Sequence, residues 1–369
     1  MKYRLVGRSG LRVSELGLGT MTFGEDWGWG APEDTCREIY TAFREAGGNF
    51  VDTANMYVNG DSERIVGDLI AADRDEVVLA TKFTNVMGDG SGPGTKAVKP
   101  NGAGNGRKNL MQSVEASLKR LKTDRIDLLW VHSFDFATPL EELMRGLDDL
   151  VRMGKVLYVG VSDTPAWAVS AATVVARERG LTPFIAQQIE YNLTQRTPDR
   201  EFLPMADYLG LSTVAWSPLA GGILTGKYNA NPNGEDRRLD VTSTHALSDA
   251  NLKLGQLAID VAKEVGCTPA QASVAWIMKK GIIPLIAATT PEQIADNLGA
   301  ADVELSEEQM QRFEEASKVA LGFPHDFLEL TREITWGNAF AHMHKDGHKD
   351  GIRGLLPKQL ETKGESSPW

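Results

Sequence analysis

The 369-residue sequence lacks the marks of several large protein classes. Its two cysteines, Cys36 and Cys267, show no metal-ligand spacing, so we expect neither a disulfide framework nor a bound metal. No apolar run approaches the roughly 20 residues of a membrane span. The opening segment, Met1-Lys-Tyr-Arg-Leu, has no apolar signal-peptide region. These absences predict a reducing, cytoplasmic location and no membrane partner.

The chain also lacks an excess of basic residues. Its formal net charge is −11, which argues against a nucleic-acid or anionic-membrane partner. Hydrophobic residues make up 42% of the sequence, enough for a sizeable core. The length would allow two average domains, but barrels of alternating strands and helices often reach this size as one domain.

Apolar segments alternate with amphipathic ones along most of the chain. The apolar segments are largely continuous, as expected for parallel strands buried on both faces. Five of the Thr-Pro pairs predict helix starts with Thr as N-cap and Pro at the first helical position: 138/139, 164/165, 197/198, 268/269 and 290/291. After a small hairpin on either side of Ser9-Gly10, we predict strands at 16–21, 49–53, 76–82, 126–132, 157–162, 185–191, 212–217 and 282–288. We predict helices at 35–46, 62–72, 110–121, 140–153, 166–179, 200–209, 250–265, 291–298 and 307–319.

This alternation predicts either a closed (β/α)8 TIM barrel or an open doubly wound sheet. The open sheet usually carries Gly-x-Gly-x-x-Gly after its first strand, and the sequence has no such fingerprint. We therefore predict a (β/α)8 barrel with an N-terminal β-hairpin over residues 1–321. Residues 322–369 are predicted to form a C-terminal extension over or beside the barrel mouth. The long connections 84–108 and 224–249 each follow a strand, which places them at that mouth.

Three predicted strands end on ionisable groups, Asp52, Lys82 and His132, and Tyr57 follows the first of them. A buried carboxylate needs a partner, so we expect Asp52 to pair with Lys82. A nearby ammonium should lower the pKa of Tyr57 from about 10 toward working pH. His132 could bind a carbonyl oxygen or assist the proton transfer, which makes the group a general acid beside a polarised carbonyl. Taken singly, each residue is as well explained by a structural role.

The sequence resembles the aldo-keto reductase family over about residues 3–320. The matching segments are Gly-Leu-Gly-Thr-Met (17–21), Phe-Val-Asp-Thr-Ala-Asn-Met-Tyr (50–57), Leu-Ala-Thr-Lys (79–82), Ser-Leu-Lys-Arg-Leu-Lys-Thr-Asp-Arg-Ile-Asp-Leu (117–128), Gly-Val-Ser-Asp (160–163), Gln-Ile-Glu-Tyr-Asn (188–192), Trp-Ser-Pro-Leu-Ala-Gly-Gly-Ile-Leu-Thr-Gly-Lys-Tyr (216–228) and Thr-Pro-Glu-Gln (290–293). The resemblance implies a barrel that binds a nicotinamide cofactor and reduces an aldehyde or ketone, or runs the reverse alcohol oxidation. It also implies a catalytic tetrad of Asp52, Tyr57, Lys82 and His132, with Tyr57 as proton donor.

By the same resemblance, NADP(H) lies across the mouth. Ser162, Asp163 and Gln188 would hold the carboxamide, and Trp216 would stack on the nicotinamide ring. Small residues after Trp216 would let backbone N–H groups approach the pyrophosphate. The full set of implied cofactor-binding residues is Gly19, Thr20, Met21, Asp52, Ser162, Asp163, Gln188, Trp216, Ser217, Pro218, Leu219, Gly222, Lys227, Thr289, Gln293 and Asn297.

Two residues depart from the family pattern. Asp163 stands where the family usually has Asn, and an ionised carboxylate can accept but not donate a hydrogen bond. Thr289 stands where the family often has an Arg for the adenosine 2′-phosphate, and a hydroxyl binds phosphate more weakly than a guanidinium. The sequence thus leaves NAD(H), or use of both cofactors, open beside NADP(H). Gln293 has a second explanation, as the partner of Thr290 in a capping box.

The sequence leaves the substrate open beyond a small-molecule carbonyl or alcohol, and it favours no oligomeric state. We expect the pocket walls to include Phe23, Trp27, Trp29, Met56, Phe83 and Phe134. Such an aromatic rim suits a bulky or ring-shaped substrate, though the same side chains could instead be packing in the barrel mouth. The alternative function is a non-catalytic, cofactor-sensing partner protein, like the channel-associated β subunits of the same superfamily.

Overall fold

The computed structural model of the protein describes residues 1–88, 100–231 and 247–337. Within these residues, eight parallel strands form a closed barrel, and one antiparallel hairpin precedes it. The strands are β1 (Tyr3–Leu5), β2 (Arg12–Ser14), β3 (Gly17–Gly19), β4 (Phe50–Asp52), β5 (Val78–Phe83), β6 (Ile126–Val131), β7 (Val156–Ser162), β8 (Phe184–Glu190), β9 (Ser212–Trp216) and β10 (Ile283–Ile286). Strands β3 to β10 pair in chain order, and β10 closes the ring on β3. The predicted TIM barrel with an N-terminal hairpin is confirmed.

Helices follow the barrel strands and surround them. Within the described residues they are α1 (Glu33–Glu45), α2 (Asp61–Ile70), α3 (Arg107–Arg120), α4 (Leu140–Arg152), α5 (Ala166–Arg179), α6 (Phe202–Leu209), α7 (Lys227–Ala230), α8 (Asp249–Val265), α9 (Pro269–Lys279), α10 (Pro291–Leu298), α11 (Glu307–Ala316), α12 (His325–Leu330) and α13 (Arg332–Trp336). The sequence prediction missed α9, although it marked a helix start at Thr268-Pro269. This helix is buried along most of its length, so it has no polar face that would give an amphipathic pattern.

Four of these five Thr-Pro pairs start α-helices, in two ways. Thr268 and Thr290 are N-caps whose hydroxyls accept a backbone hydrogen bond, with Pro at the start of the helix, as predicted. At Thr138-Pro139 and Thr164-Pro165 the prediction was one residue early, because Pro itself is the N-cap of α4 and α5. At Thr197-Pro198 both residues lie inside a single turn of 3-10 helix.

The hairpin closes the N-terminal end of the barrel. Val6 and Val13 pack with barrel-interior side chains such as Phe50 and Ile185. Gly7 is needed where the hairpin meets the barrel: its φ is +53°, and a Cβ there would lie 2.1 Å from the Ile185 carbonyl oxygen. Because one end is filled, the carboxyl ends of the strands form the accessible mouth.

The division at residue 321/322 remains a prediction. In the described part of the extension, α12 contacts the barrel through His325, whose Nε2 lies 2.9 Å from Glu201 Oε1. The rest of the predicted extension, and the centres of both long connections (89–99 and 232–246), lie outside the described residues. No helix in the described part of the chain is long and apolar enough to cross a membrane.

Candidate active site

A buried ion pair lies at the carboxyl ends of two adjacent strands. Asp52 is the last residue of β4, and Lys82 is near the end of β5. Both side chains are almost fully buried, and the Lys82 ammonium donates to Asp52 Oδ1 and, at 2.9 Å, to the Thr53 carbonyl oxygen. A buried charge is tolerated only when it is paired and hydrogen-bonded, and this pair meets both conditions.

Two further side chains donate to the same carboxylate. Trp130 Nε1 lies 2.8 Å from Asp52 Oδ2, and Gln188 Nε2 lies 3.0 Å from it. Sequence reasoning predicted neither contact. A partial signal was present for Trp130: it lies two residues before His132 in the predicted strand 126–132, and side chains two apart on a strand point to the same face. Gln188 reaches Asp52 from β8, across the barrel, and nothing local in the sequence indicates that contact.

The phenol and the imidazole complete the predicted group of four. The Lys82 nitrogen is 4.9 Å from the centre of the Tyr57 ring. The Tyr57 and His132 rings are 5.9 Å apart, centre to centre, and meet edge to face at 82°. The fold therefore brings together the four side chains that the sequence placed at strand ends and in the following loop.

Tyr57 begins an unusual backbone segment. Val58, Asn59 and Gly60 follow it with φ values of 46°, 56° and 94°, all in the left-handed region. This conformation is unfavourable for β-branched Val58, whose side chain is buried beside Gly24. Strained backbone of this kind persists when the surrounding packing over-determines it, and it clusters at functional sites.

Burial sets the proton states of the group. It raises the pKa of Tyr57, and the charge of Lys82 only partly offsets this, so the predicted lowering of that pKa was wrong in direction. Burial, assisted by Lys82, holds the pKa of His132 well below 6.5. Burial alone would lower the pKa of Lys82, but the combined effect of Asp52 and Tyr57 outweighs it and the pKa is raised. At neutral pH the site thus presents a protonated phenol, a neutral imidazole and an ammonium.

A cavity of about 960 Å³ opens at this end of the barrel. Its wall includes Asp52, Tyr57 and, from the predicted sets, Gly19, Met21, Trp29, Gln188, Trp216, Ser217, Pro218, Leu219, Gly222, Lys227, Thr289, Gln293 and Asn297. Thr20 is buried behind the wall, where its hydroxyl donates to the Asp52 carbonyl oxygen. Asp296, Thr225 and Ala270 also line the cavity and were not predicted.

The predicted substrate residues divide into two groups. Phe23 and Phe83 are fully buried in hydrophobic clusters between barrel and helices, so the prediction that they form the pocket wall was wrong. Trp27 packs on cavity-lining Trp29, with ring centres 5.8 Å apart. Met56 and Phe134 are only partly buried, and Met56 directly precedes Tyr57.

The residues at the mouth fit a nicotinamide dinucleotide. The hydroxyl oxygen of Ser162 and Nδ1 of His132 are buried without a hydrogen-bond partner in the described structure, which leaves polar atoms for a ligand. Trp216 is half-buried on the cavity wall, and its Nε1 donates to Asp163 Oδ1 at 3.1 Å. Loss of hydration raises the pKa of Asp163 to about 6. Lys227 supplies a positive charge on the same wall.

The cavity wall also includes Thr289, Gln293 and Asn297 from the predicted cofactor-binding set. Gln293 Oε1 accepts from the Thr289 N–H at 2.9 Å and from its hydroxyl at 3.2 Å. The Gln293 N–H donates to Thr290 Oγ1 at 3.3 Å, so half of the predicted capping box forms. The reciprocal bond goes to Thr289 instead of Thr290. Asn297 donates to the Ala287 carbonyl oxygen at 3.1 Å. No group of three or more His, Cys, Asp or Glu suited to a metal occurs among the described residues.

Comparison with known proteins agrees with this geometry. A sequence model described as Aldo/keto reductase family matches residues 15–318. The chain is 39% identical to the norsolorinic acid reductase of Aspergillus flavus over 331 residues, covering 88% of this chain and 83% of that protein. It is 36% identical to the aryl-alcohol dehydrogenase [NADP(+)] of Phanerodontia chrysosporium over 329 residues, covering 86% of each. It is 33% identical to an aryl-alcohol dehydrogenase of Pestalotiopsis microspora over 378 residues, covering 100% of this chain and 96% of that protein. The chain therefore belongs to the aldo/keto reductase family, and it is an oxidoreductase of the kind that acts on carbonyl or alcohol groups with a nicotinamide cofactor.

Proposed function

We propose that the protein reduces an aldehyde or ketone with NADP(H), using Tyr57 as general acid, and that the same site can oxidise the corresponding alcohol. The observation that carries the proposal is the position of Tyr57 on the cavity wall, beside the Lys82 ammonium and the His132 ring. Its raised pKa keeps the phenol protonated at neutral pH, the form that a proton donor needs.

The residues divide the work of one proton transfer. Tyr57 gives its proton to the carbonyl oxygen, and the phenolate that forms is stabilised by the adjacent Lys82 charge. Asp52 holds Lys82 charged and in place. His132 is neutral, so the imidazole can donate a hydrogen bond to the carbonyl oxygen without adding a charge. The cofactor, when bound, supplies or accepts the hydride at the carbonyl carbon.

The cofactor would be held along the cavity wall. Trp216 would stack on the nicotinamide ring, Ser162 and Gln188 would offer polar groups to it, and Lys227 would pair with the diphosphate. The relative named aryl-alcohol dehydrogenase [NADP(+)] supports NADP(H). Thr289 provides a hydroxyl where a guanidinium would bind a 2′-phosphate more strongly, so NAD(H) is expected to bind as well.

We propose an aromatic carbonyl or alcohol as the substrate. The relatives named above act, by their names, on norsolorinic acid or aryl alcohols. In this chain the rings of Trp29 and Trp216 line the cavity, which gives a planar substrate faces to stack on. Phe134, two residues after His132, belongs to a further aromatic group, with ring centres 4.8 Å from Phe136 and 5.7 Å from Trp167.

Turnover with a substrate panel tests the proposal. Aromatic and aliphatic aldehydes, ketones and secondary alcohols are each offered with NADPH or NADH (NADP⁺ or NAD⁺ for the alcohols), and cofactor binding is measured separately by fluorescence titration. We expect cofactor binding with either form and turnover that favours aromatic carbonyls. Tight cofactor binding without turnover on any member of the panel would instead support the cofactor-sensing alternative.

A further inference from the structure

We propose that Trp130 is a positioning residue for the proton transfer, which holds Asp52, and through it Lys82, in the arrangement that serves Tyr57. The inference rests on the proposed function of Tyr57. It assigns a role to a side chain that does not line the cavity.

The contact is built deep inside the barrel. The Trp130 side chain is fully buried, and its Nε1 donates to Asp52 Oδ2 at 2.8 Å. The two residues are 78 positions apart, so this bond is made only by the closed barrel. Trp130 lies beside Lys82 in the register between β6 and β5. The indole therefore reaches past Lys82 to the far oxygen of its partner.

The neighbouring strand leaves room for the indole. Gly160 is the register partner of Trp130 on β7. A Cβ at Gly160 would lie 2.4 Å from Trp130 Cζ3 and 2.5 Å from Cε3, closer than such atoms can approach. Any side chain at Gly160 would thus displace the indole from its position below the site. The glycine and the tryptophan act as a pair.

Trp130 differs from the other donors to Asp52. Lys82 carries the charge that acts on Tyr57, and Gln188 lines the cavity, where a ligand can compete for its amide. The indole N–H is neutral and shielded from ligands. It therefore stabilises the carboxylate without placing a second positive charge beside Lys82. It also fixes Oδ2, which leaves Oδ1 directed at Lys82.

Loss of this N–H should change the acidity of Tyr57. The titratable groups that act on Tyr57 are Asp52 from β4, Lys82 from β5 and Asp163 after β7, and His132 after β6 packs on its ring. Without the indole N–H, the negative charge of Asp52 is less compensated and Lys82 is held less firmly. Both changes make the phenolate less favourable, so the pKa of Tyr57 should rise further.

Trp130→Phe is the test, because it removes the N–H and keeps an aromatic ring. Trp276→Phe is the matched control: Trp276 lies on helix α9, is equally buried and donates to a carboxylate, Glu314 Oε1 at 3.1 Å. For Trp130→Phe we expect a roughly tenfold fall in kcat, while KM and the cofactor Kd should each change by less than about twofold. The apparent pKa of the alkaline limb of the pH profile should rise by about one pH unit. Trp276→Phe should leave the pH profile unchanged.

Two measurements do not depend on turnover. In ultraviolet difference titrations, the phenol signal of Tyr57 is identified as the one that is lost in Tyr57→Phe. In Trp130→Phe this signal should move to higher pH. NMR spectra of the indole N–H groups are compared between the wild type and Asp52→Asn, which both keep Trp130. The Trp130 resonance should shift in Asp52→Asn, and this measurement tests the inference even if Trp130→Phe fails to fold. An unchanged Tyr57 titration in a folded Trp130→Phe protein, or an indole signal insensitive to Asp52→Asn, would overturn the inference. Absence of turnover in the wild-type protein would refute the proposed function alone.

Discussion

Replacing Asp52 by Asn should destabilise the protein strongly and in a pH-dependent way. The substitution keeps the size of the side chain and an acceptor oxygen for Trp130, but it removes the negative charge. The Lys82 ammonium, almost fully buried, then keeps the Thr53 carbonyl oxygen and the neighbouring Tyr57 but no carboxylate among its observed partners. Removing one member of a buried ion pair costs about 3–5 kcal/mol of the free energy of unfolding.

The reciprocal substitution should cost less. In Lys82→Met, the Asp52 carboxylate keeps the N–H donors of Trp130 and Gln188. In the double variant no charge is buried, so its free energy of unfolding should lie above that of Asp52→Asn alone. The coupling energy between the two sites should reach about 2–3 kcal/mol, as found for residues in direct contact.

The pH dependence follows from the pKa of Lys82. In the wild type that pKa is raised, so the stabilisation is fully present below the pKa of an unfolded lysine and is lost as the pH rises from there through the raised value. In Asp52→Asn, burial acts without the carboxylate and depresses the pKa below that of the unfolded chain. The unfolded state then binds more protons over part of the alkaline range, and stability rises there by up to about 1.4 kcal/mol per pH unit. The difference in unfolding free energy between the wild type and Asp52→Asn should therefore shrink between about pH 7 and pH 10.

Urea denaturation at several pH values measures all four proteins of the cycle. Midpoints and slopes are compared, with the slopes required to agree so that the changes reflect stability alone. Two results would show that the pair is not a charged, buried unit. One is a loss of unfolding free energy in Asp52→Asn that does not depend on pH, and the other is a double variant whose loss equals the sum of the two single losses.

Three further predictions concern the cofactor site and the core. Asp163→Asn should abolish the change in NADH affinity that we expect across about pH 6, the pKa of Asp163, in fluorescence titrations of the wild type; NADH is used because it has no 2′-phosphate that titrates in the same range. Thr289→Arg should raise the affinity for NADPH relative to NADH by about tenfold, because a guanidinium can bind the 2′-phosphate; titration of both cofactors measures the ratio. Glu314→Gln should cost about 2 kcal/mol in urea denaturation and leave KM unchanged. It removes the charge paired with Arg196 at 2.6 Å and Lys280 at 2.7 Å, and these residues do not line the cavity.

Local sequence pattern accounts for most of the fold. Continuous apolar runs and short connections are local features, and the bounds of α5 and α10 agree with the predicted ranges. Helix α9 was missed because it is buried along most of its length and therefore has no amphipathic pattern. Phe83 shows a signal that was available and not used: it directly follows Lys82 on β5, so it points away from the barrel interior and into the helix layer.

The site was less predictable because its properties depend on burial. From the sequence we predicted that Lys82 would dominate the pKa of Tyr57, whereas loss of hydration outweighs its effect in the folded protein. The bond from Trp130 to Asp52 depends on the closure of the barrel and on the space at Gly160. Neither burial nor long-range contact can be derived from the residue types at the strand ends.

The most direct test of the proposed chemistry is single-turnover hydride transfer in Tyr57→Phe. The variant keeps the ring against His132 and Lys82 and removes only the hydroxyl. With an aromatic aldehyde that the wild type reduces, we predict that NADPH affinity stays within about twofold while the rate of hydride transfer falls by a factor of about 10² to 10⁴, the usual share of general acid catalysis. A variant that binds NADPH normally and transfers hydride at the wild-type rate would contradict the assignment of Tyr57 as the proton donor.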